Sequence, residues 1–221
     1  MRRSKKGGLT AALLLFALSL CAAPQPYHLT LRANPAAPFP FLGTFGTVTI
    51  HVYPGGVRAE TLLMNGFSRN GARAITVENP ISRLATKEPI AGMAPALQKL
   101  GSIDTAASVV PTRGPEGGGK VGGIDARRYR LVYGPAAWID VWTTTAIAPN
   151  PQFRALVDEF VRGIAPGTAT VLRTIPGTPV YVELNFRRYK KLPLLTLQSL
   201  AMNNEGEEDA LKVGRLYVSV P

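Results

Sequence analysis

The stretch of sequence that decides the fold is VGGIDARRYRLVYGPAAWIDVWTTT, residues 121–145. Aromatic and β-branched side chains fill both sides of Gly134-Pro135, as they do in β-strands. Gly and Pro together mark a turn. The sequence therefore predicts two antiparallel strands that meet at this dipeptide.

The register of this hairpin follows from which side chains must be buried together. An odd-length loop, such as residues 134–136, places Arg130 opposite Asp140 and Arg128 opposite Trp142. The apolar pairs are then Tyr129–Val141, Leu131–Ile139 and Tyr133–Ala137. One face is apolar, and the other carries an ion pair and a cation–π contact. A two-residue loop would mix the two faces, so burial favours the odd-length loop.

A second hairpin is predicted earlier in the chain. Residues 45–53 alternate between apolar and polar side chains, Gly55-Gly56 is a two-residue turn signal, and the return strand covers residues 57–64. The predicted cross-strand pairs are Val52–Ala59, Ile50–Thr61, Val48–Leu63, His51–Glu60 and Tyr53–Arg58.

An amphipathic helix is predicted to begin at Asn150-Pro151. Asn150 can cap the first amides, and proline fits the first helical position. The apolar stripe consists of Phe153, Leu156, Val157, Phe160, Val161 and Ile164, and Gly163 and Pro166 mark its end. Such a stripe needs an apolar partner, so we expect it to lie over Tyr129, Leu131, Ile139 and Val141 of the sheet.

The rest of the chain is mostly strand. Further strands are predicted at residues 27–32, 73–78, 81–85, 178–187, 192–202 and 211–220, a short helix at 95–100, turns at Asn65-Gly66 and Asn70-Gly71, and a mobile surface loop at 108–123. No repeating strand–helix alternation indicates a parallel sheet. The predicted fold class is α+β, mainly antiparallel: a curved, unclosed half-barrel with helices packed on its concave face.

The N-terminus has the layout of a secretory signal. Four basic residues precede an apolar run that ends in Cys21-Ala22-Ala23, and the run is too short for an ordinary transmembrane helix. We expect cleavage within residues 21–24. The alternatives are a lipoprotein with an acylated Cys21 and an uncleaved anchor. The predicted organisation is a signal peptide over 1–23, an N-terminal extension over 24–44 and one domain over 45–221, in a protein that is periplasmic or associated with the cell envelope.

The chain is strongly basic. It has 25 Lys and Arg against 14 Asp and Glu, a net +11, and removal of residues 1–23 leaves about +7. Residues 127–130 and 187–191 interleave cations with tyrosine, which in a cytosolic protein would indicate nucleic-acid binding. In an exported protein we predict no nucleic-acid partner. These segments are either solvated strand ends or contacts with an anionic membrane surface.

The usual signatures of catalysis and metal binding are weak in this sequence. Residues 114–120 have the spacing of a phosphate-binding loop, but Val121 replaces the metal-binding hydroxyl residue and a strand follows. His28 and His51 are not spaced as metal ligands, and Cys21 is the only cysteine. The sequence therefore predicts a non-enzymatic protein with no cofactor and no metal, and a hydrolase is only a third hypothesis.

Several segments together carry a family resemblance. These are GTVTIHV at 46–52, GVRAE at 56–60, VGGIDARRY at 121–129 and IDVWTT at 139–144, followed by the helix and the late strands. The chain resembles exported bacterial domains of the LolA/LolB-like superfamily of periplasmic lipoprotein carriers. The resemblance implies a half-barrel whose helices plug a hydrophobic concavity, where carriers of this type hold acyl chains.

The predicted function is therefore binding of a hydrophobic ligand, an acyl chain or lipid, in the sheet concavity. The expected partners are a lipid or an acylated protein, and the oligomeric state stays open. The cavity candidates are Val48, Ile50, Val52, Leu63, Tyr129, Leu131, Ile139, Val141, Phe153, Val157 and Phe160. The alternative is an envelope interaction or sensor module whose core is filled by its own helix and takes no small ligand.

Overall fold

The structure is a computed structural model that describes residues 26–35, 46–99, 110–111, 114–148, 150–186, 189–202 and 206–220. The predicted signal peptide, the cleavage site and the acylation of Cys21 lie outside the described residues. Residues 24–25 and 36–44 of the predicted N-terminal extension also lie outside them, whereas residues 26–35 are described.

The described residues form a single sheet and four helices. The strands are β1 Tyr27–Ala33, β2 Thr47–Tyr53, β3 Gly56–Glu60, β4 Asn65–Arg69, β5 Ala74–Asn79, β6 Leu84–Pro89, β7 Val110–Pro111, β8 Gly117–Val121, β9 Ile124–Gly134, β10 Ala137–Thr144, β11 Thr178–Phe186, β12 Tyr189–Met202 and β13 Val218–Ser219. The helices are α1 Ile90–Gln98, α2 Pro151–Ile164, α3 Pro166–Leu172 and α4 Glu207–Ala210.

The sheet consists of two antiparallel meanders. Strands β1 to β6 follow one another across the first, β9 to β12 across the second, and the pairing of β1 with β12 joins them. The strand order is β13-β6-β5-β4-β3-β2-β1-β12-β11-β10-β9-β7, β8 also pairs with β9, and β13 runs parallel to β6. The sheet is curved and unclosed with helices packed against it, which confirms the predicted fold class.

The central hairpin has the predicted register over most of its length. Arg130 pairs with Asp140, and the Tyr129–Val141 and Leu131–Ile139 pairs are also formed. The end of the hairpin differs from the prediction, because Gly134, and not Tyr133, lies next to Ala137 across the turn. The loop has two residues, 135 and 136, and Tyr133 is an extra residue in β9, a β-bulge. Because of this extra residue, Arg130 still lies opposite Asp140, as it would with an odd-length loop.

The register predicted for the first hairpin is wrong by two residues. Val52 pairs with Val57, Ile50 with Ala59 and His51 with Arg58, because the turn residues are Pro54-Gly55 and not Gly55-Gly56. The predicted His51–Glu60 neighbours are diagonal, with His51 Nε2 3.6 Å from a Glu60 carboxylate oxygen. A two-residue slip keeps every side chain on its face, so burial alone does not select between the two registers.

Four further predictions need correction. The β3 strand ends at Glu60, so Leu63 lies in the β3–β4 loop, and Asn65-Gly66 is inside β4 rather than a turn. The short helix begins at Ile90, with Pro95 in its interior. The strand predicted over residues 211–220 is reduced to β13.

The glycine-rich stretch predicted as a mobile loop contains strand β8. Gly119 lies beside the Trp142 ring, where a Cβ atom would be 3.4 Å from a ring carbon. Gly119 therefore packs against an aromatic ring, at a distance where an added Cβ would make an ordinary contact. Residues 117–121 do not form a phosphate-binding loop.

The last described segment, residues 206–220, crosses the outer face of the sheet, opposite the helices. Leu211 packs there with Tyr53 and Phe67, and the three are 3–8% exposed. Beneath the segment, the fully buried Glu78 accepts hydrogen bonds from Arg58 Nη2 at 2.8 Å and from the Gly214 amide at 2.7 Å. We call residues 206–220 the C-terminal strap.

Candidate ligand-binding site

Two apolar clusters cover the concave face of the sheet. The first lies under α2 and combines strands β1, β2, β3, β11 and β12, the β8–β9 hairpin and Trp142 of β10 with Phe153, Leu156 and Val157 of the helix. The second lies under α3 and combines β9, β10, β11 and β12 with Val171 and Leu172. The concavity is therefore divided between two consecutive helices.

The predicted cavity residues are distributed over both clusters. Val48, Ile50, Val52, Phe153 and Val157 belong to the first cluster, and Tyr129, Leu131, Ile139 and Val141 to the second. The expectation that the α2 stripe lies over the second set is wrong, because the short helix α3 packs there. Leu63, in its loop, and Phe160 are half-buried and belong to neither cluster.

Buried amide side chains fix the N-terminus of α2. The predicted cap is confirmed: Asn150 Oδ1 accepts from the Gln152 amide at 2.8 Å and from the Phe153 amide at 3.0 Å. Asn150 Nδ2 also donates to the Tyr53 carbonyl at 3.2 Å. The cap therefore positions the helix on strand β2 as well as starting it.

Gln152 ties the same helix end to the β4–β5 hairpin. Its Nε2 donates to Ser68 Oγ at 2.8 Å and to the Ala72 carbonyl at 3.1 Å, and its Oε1 accepts from the Gly71 amide at 3.0 Å. The residue is only 4% exposed. Sequence reasoning missed this residue, since its partners are about 80 positions away and the local signal is only a polar residue in a first helical turn.

The remainder of the α2 stripe is incompletely covered. Phe153 is buried, whereas Leu156, Val157, Phe160, Val161 and Ile164 are only half-buried. At the C-terminal end, α2 touches α1 through Gly163, where a Cβ atom would approach Leu97 to 2.6 Å. The helix is thus anchored at both ends, with partly exposed apolar side chains between them.

A hollow opens beside this stripe, between α2, α3 and the ends of β10 and β11. Its enclosed part is only about 30 Å³, and the space reaches about 440 Å³ when the open mouth is included. Its lining residues are Thr143, Phe153, Arg154, Val157, Asp158, Leu172, Ile175, Gly177, Thr178 and Pro179. The floor is therefore mainly apolar, and Arg154 and Asp158 supply charge at the rim.

A second hollow adjoins the first and shares Thr143 with it. Asp125, Ala126, Arg127, Tyr129, Thr145 and Pro176 complete its lining. Thr143 Oγ1 donates to the Pro176 carbonyl at 2.8 Å between the two spaces. Gly177 follows with a φ of +88°, and its backbone lies so close to Thr144 that a Cβ atom would be 2.6 Å from the Thr144 carbonyl oxygen.

An ionic contact closes α2 against the segment after α3. Arg173 Nε lies 3.0 Å from Asp158 Oδ2, and Arg154 donates to the Arg173 carbonyl at 3.3 Å. Arg173 is 53% exposed in its side chain, so this contact contributes at most about 1 kcal/mol. The contact can therefore open at small cost, while the amide anchors at the N-terminus of α2 hold.

Titratable groups elsewhere have structural roles. Burial raises the pKa of Tyr27 to about 12, and its hydroxyl donates to the Ala148 carbonyl at 3.3 Å. His51 and Arg58 together lower the pKa of Glu60 to about 2 on the outer face. Within the described part of the chain, no group of three His, Cys, Asp or Glu residues is arranged to hold a metal ion.

The basic segment 127–130 is largely engaged within the sheet. Arg130 makes a bidentate pair with Asp140, at 2.7 and 2.8 Å, and its guanidinium lies 4.8 Å from the centre of the Trp138 ring. The guanidinium of Arg128 lies 5.9 Å from the centre of the Trp142 ring. The expected ion pair and cation–π contacts are confirmed, and these two arginines are not free cations.

Comparisons with known proteins give a likeness in fold only. A scan against protein-family models finds no match, and neither does a search of curated proteins. Among solved structures, an uncharacterized conserved protein from Thermus thermophilus is 10% identical with a TM-score of 0.49, over 96% of this chain and 98% of that one.

Two other solved structures are more distant. The MucA/MucB complex of Pseudomonas aeruginosa matches with 12% identity and a TM-score of 0.39, and the match covers 96% of this chain and 64% of that one. LprF from Mycobacterium bovis matches with 12% identity and a TM-score of 0.32, over 87% and 95%. The resemblance to the LolA/LolB-like superfamily stays a prediction at this distance. No helix within the described ranges has the length and apolarity needed to span a bilayer.

Proposed function

We propose that this chain is an exported, non-enzymatic protein that binds an amphiphile with an acyl chain in the hollow between α2 and α3. The observation that carries the proposal is the half-buried apolar stripe of α2 beside a mainly apolar hollow. Removing apolar surface from water contributes about 25 cal/mol per Å² to the free energy of binding when a ligand covers it. The enclosed part of the hollow is only about 30 Å³, below the usual range for ligand sites of about 300–1,000 Å³, so a bound acyl chain has to part α2 from α3, whose ionic contact opens at small cost.

The rim of the hollow favours an anionic head group. Arg154 lines the mouth, and Arg173 lies next to it on the facing segment. Asp158 is the one acidic residue in the lining and is already paired with Arg173. Two cations against one anion leave a net positive mouth, which suits a carboxylate or phosphate attached to an acyl chain.

A specific observation supports the alternative, an interaction module with a self-filled core. Leu29, Leu131 and Val180 are completely buried by the protein's own side chains, and most of the predicted cavity residues are below 10% exposed. In that case the hollow is only a shallow surface feature. The protein would then bind no small ligand, and its surface would carry the function.

The proposal is tested by filling the hollow from within. Val157→Trp places a large side chain among the lining residues, so it should reduce fatty-acid affinity at least about tenfold. Val161→Trp is the matched control: Val161 is on the same helix and also half-buried, but it does not line the hollow. Affinity is measured by displacement of a fluorescent fatty acid, after native mass spectrometry of detergent-free protein has identified any co-purified ligand.

The head-group part is tested with a matched pair of ligands. Arg154→Gln should weaken binding of a long-chain fatty acid and leave binding of the corresponding fatty alcohol unchanged, because only the acid is charged. If the wild-type protein binds neither compound and co-purifies with none, the acyl-ligand proposal is wrong and the interaction module is favoured. Equal affinity of the Val157→Trp variant and the wild type would place the site elsewhere.

A further inference from the structure

An apolar surface patch lies at one corner of the sheet, where the β5–β6 turn meets the C-terminal strap. Its members are strongly exposed for their type: Ile81 79%, Leu84 42%, Leu216 74% and Val218 65%. Val218 is the direct neighbour of Leu84 in the parallel β13–β6 pair. These four residues, which we call the corner patch, come from two segments about 135 residues apart in sequence and are brought together by the fold.

Hydrogen bonds hold the corner patch in a defined shape. Asn79 Oδ1 accepts from the Ile81 amide at 2.9 Å and from the Ser82 amide at 3.1 Å, and the Asn79 carbonyl accepts from the Arg83 amide at 2.8 Å. The Val218 amide donates to the Arg83 carbonyl at 2.9 Å. Ile81 is therefore presented at the tip of a hydrogen-bonded turn, and little conformational entropy is lost when it binds.

The charge around the corner patch is positive. Arg83 and Arg215 are both exposed, and residues 80–84 and 215–220 contain no acidic residue. The acidic end of the strap, at Glu207, lies at the opposite rim of the sheet, where Glu207 accepts a hydrogen bond from Gly55. Glu60 ends a strand at the same rim as the patch, but it is paired with Arg58 at 2.7 Å.

We propose that the corner patch docks the protein on an anionic lipid bilayer. Exposed aliphatic tips enter the interface between head groups and acyl chains, and neighbouring arginines bind the anionic head groups. A second copy of the chain fits less well, because a two-fold interface would press two surfaces of the same positive charge against each other. The docking surface is separate from the hollow and contains none of its residues.

The test uses protein purified from the envelope of an exporting host, so that every variant has the same natural N-terminus. Co-sedimentation is measured with vesicles of phosphatidylcholine mixed with phosphatidylglycerol, and with phosphatidylcholine alone. Ile81→Ser with Leu216→Ser should reduce the partition coefficient on the mixed vesicles at least about tenfold. Met202→Ser is the control, because Met202 is a 44% exposed residue at the opposite rim, next to Tyr27.

The charge component is tested separately. Arg83→Asn with Arg215→Gln should lower partitioning about fivefold per arginine at low salt, and the difference should disappear at high salt or on uncharged vesicles. Asn is chosen for position 83 because the φ of Arg83 is +56° and Asn tolerates that conformation. Urea unfolding of each variant should match the wild type, since the altered side chains are exposed.

Several results would overturn the proposal. The first is an Ile81→Ser, Leu216→Ser variant that binds mixed vesicles as tightly as the wild type and the Met202→Ser control. The second is a wild-type protein that does not bind mixed vesicles at all. The third is sedimentation analysis that shows a wild-type dimer and a monomeric double variant, which would identify a second copy as the occupant of the patch.

Discussion

The buried ion pair beneath the C-terminal strap should dominate the stability of the outer face. Glu78 is completely buried, and only Arg58 Nη2 and the Gly214 amide donate to its carboxylate among the described contacts. Arg58→Met keeps most of the aliphatic stem and removes the cation, so a buried carboxylate is left without its counter-charge. Breaking a buried pair in this way costs about 3–5 kcal/mol in the free energy of unfolding.

Urea unfolding with linear extrapolation measures this free energy. The double variant Arg58→Met, Glu78→Gln should recover at least half of the loss, because the glutamine amide oxygen can still accept from Gly214 and carries no charge. Lys212→Met is the matched control. Its partner Glu208 is also at 2.7 Å, but the two side chains are 49% and 87% exposed, so removal of this pair should leave the free energy of unfolding unchanged within error.

The reasoning would be refuted if Arg58→Met and Lys212→Met had the same small effect, because burial would then not determine the energy of the pair. Arg58 also pairs with Glu60 at 2.7 Å. The Glu60→Gln single variant therefore measures how much of the Arg58→Met effect belongs to that second, more exposed contact. A double variant less stable than Arg58→Met alone would show that the Glu78 charge is not the source of the loss.

Three further predictions concern the stability of other regions. His51 and Arg58 lower the pKa of Glu60 to about 2, below its value in the unfolded chain. Glu60 therefore stabilises the fold above about pH 4, and this stabilisation is lost as the pH falls toward 2. In the Glu60→Gln variant, the free energy of unfolding should depend less on pH in this acid range. Arg130→Ala should cost about 3–5 kcal/mol and shift the tryptophan emission, because Asp140 has a side chain only 4% exposed and a tryptophan ring lies under the guanidinium. Gly177→Ala should cost about 1–3 kcal/mol, because φ is +88° and the new Cβ would clash with a backbone oxygen.

Each of these predictions has a contradicting outcome. An unchanged acid limb in Glu60→Gln would mean that other carboxylates set the acid sensitivity. Arg128→Ala is the comparison for Arg130→Ala, because Arg128 has a similar aromatic contact but makes no ion pair among the described contacts. Equal losses of stability in the two variants would mean that the ion pair with Asp140 is not the cause. Gly134→Ala is the comparison for Gly177, since Gly134 has open space around it, and it should change stability by less than about 0.5 kcal/mol.

Local sequence predicts a feature well when the residues that determine it are neighbours in the chain. Asn150 and Pro151 define a helix start within two positions, and the structure shows the cap hydrogen bonds. The central hairpin could be aligned because its two faces differ in chemistry, and a slip of one residue would bury Arg130 and Asp140 among apolar side chains. Only the bulge at Tyr133 was not predicted, because a two-residue loop with a bulge and an odd-length loop place the same residues of the two strands opposite each other.

The first hairpin shows where such reasoning fails. Both Pro54-Gly55 and Gly55-Gly56 are acceptable turns, and the two registers differ by two residues, so each buries the same side chains. The structure pairs Val52 with Val57, which places two β-branched side chains opposite each other on the concave face. Cross-strand packing of this kind depends on the neighbouring strands, which the hairpin sequence alone does not contain.

Long-range polar contacts could not be predicted from the sequence. Gln152 reaches the β4–β5 hairpin, and Gly214 reaches Glu78 across 136 positions. The candidate hollow was missed for a related reason: Phe153 and Val157 were predicted, but Leu172 and Ile175 lie in a short helix and the loop after it, and neither segment has a pattern of its own. Their place becomes evident only when α3 is seen to cover the β9–β10 hairpin.

The hollow and the corner patch lie at opposite rims of the sheet, and this separation gives the last prediction. The hollow is at the rim where β10 ends and β11 begins, at Thr143 and Thr178. The strand pairs from β11 through β12 and β1 to β2 show that Tyr53, at the end of β2, lies at this same rim. The corner patch is at the other rim, where β6 begins at Leu84. A protein docked through the patch would therefore hold the mouth of the hollow away from the bilayer.

Docking and ligand binding should consequently be independent. Ile81→Ser with Leu216→Ser should leave fatty-acid affinity in solution within about twofold of the wild type, and Val157→Trp should leave vesicle partitioning equally unchanged, because no residue is shared between the two surfaces. Measured in both assays, the two variants form a crossed comparison. If Val157→Trp also releases the protein from vesicles, the hollow itself faces the lipid and docking through the corner patch is wrong. If the double variant also loses fatty acid, the strap and the α2–α3 region are coupled through the sheet, and the two surfaces act as one.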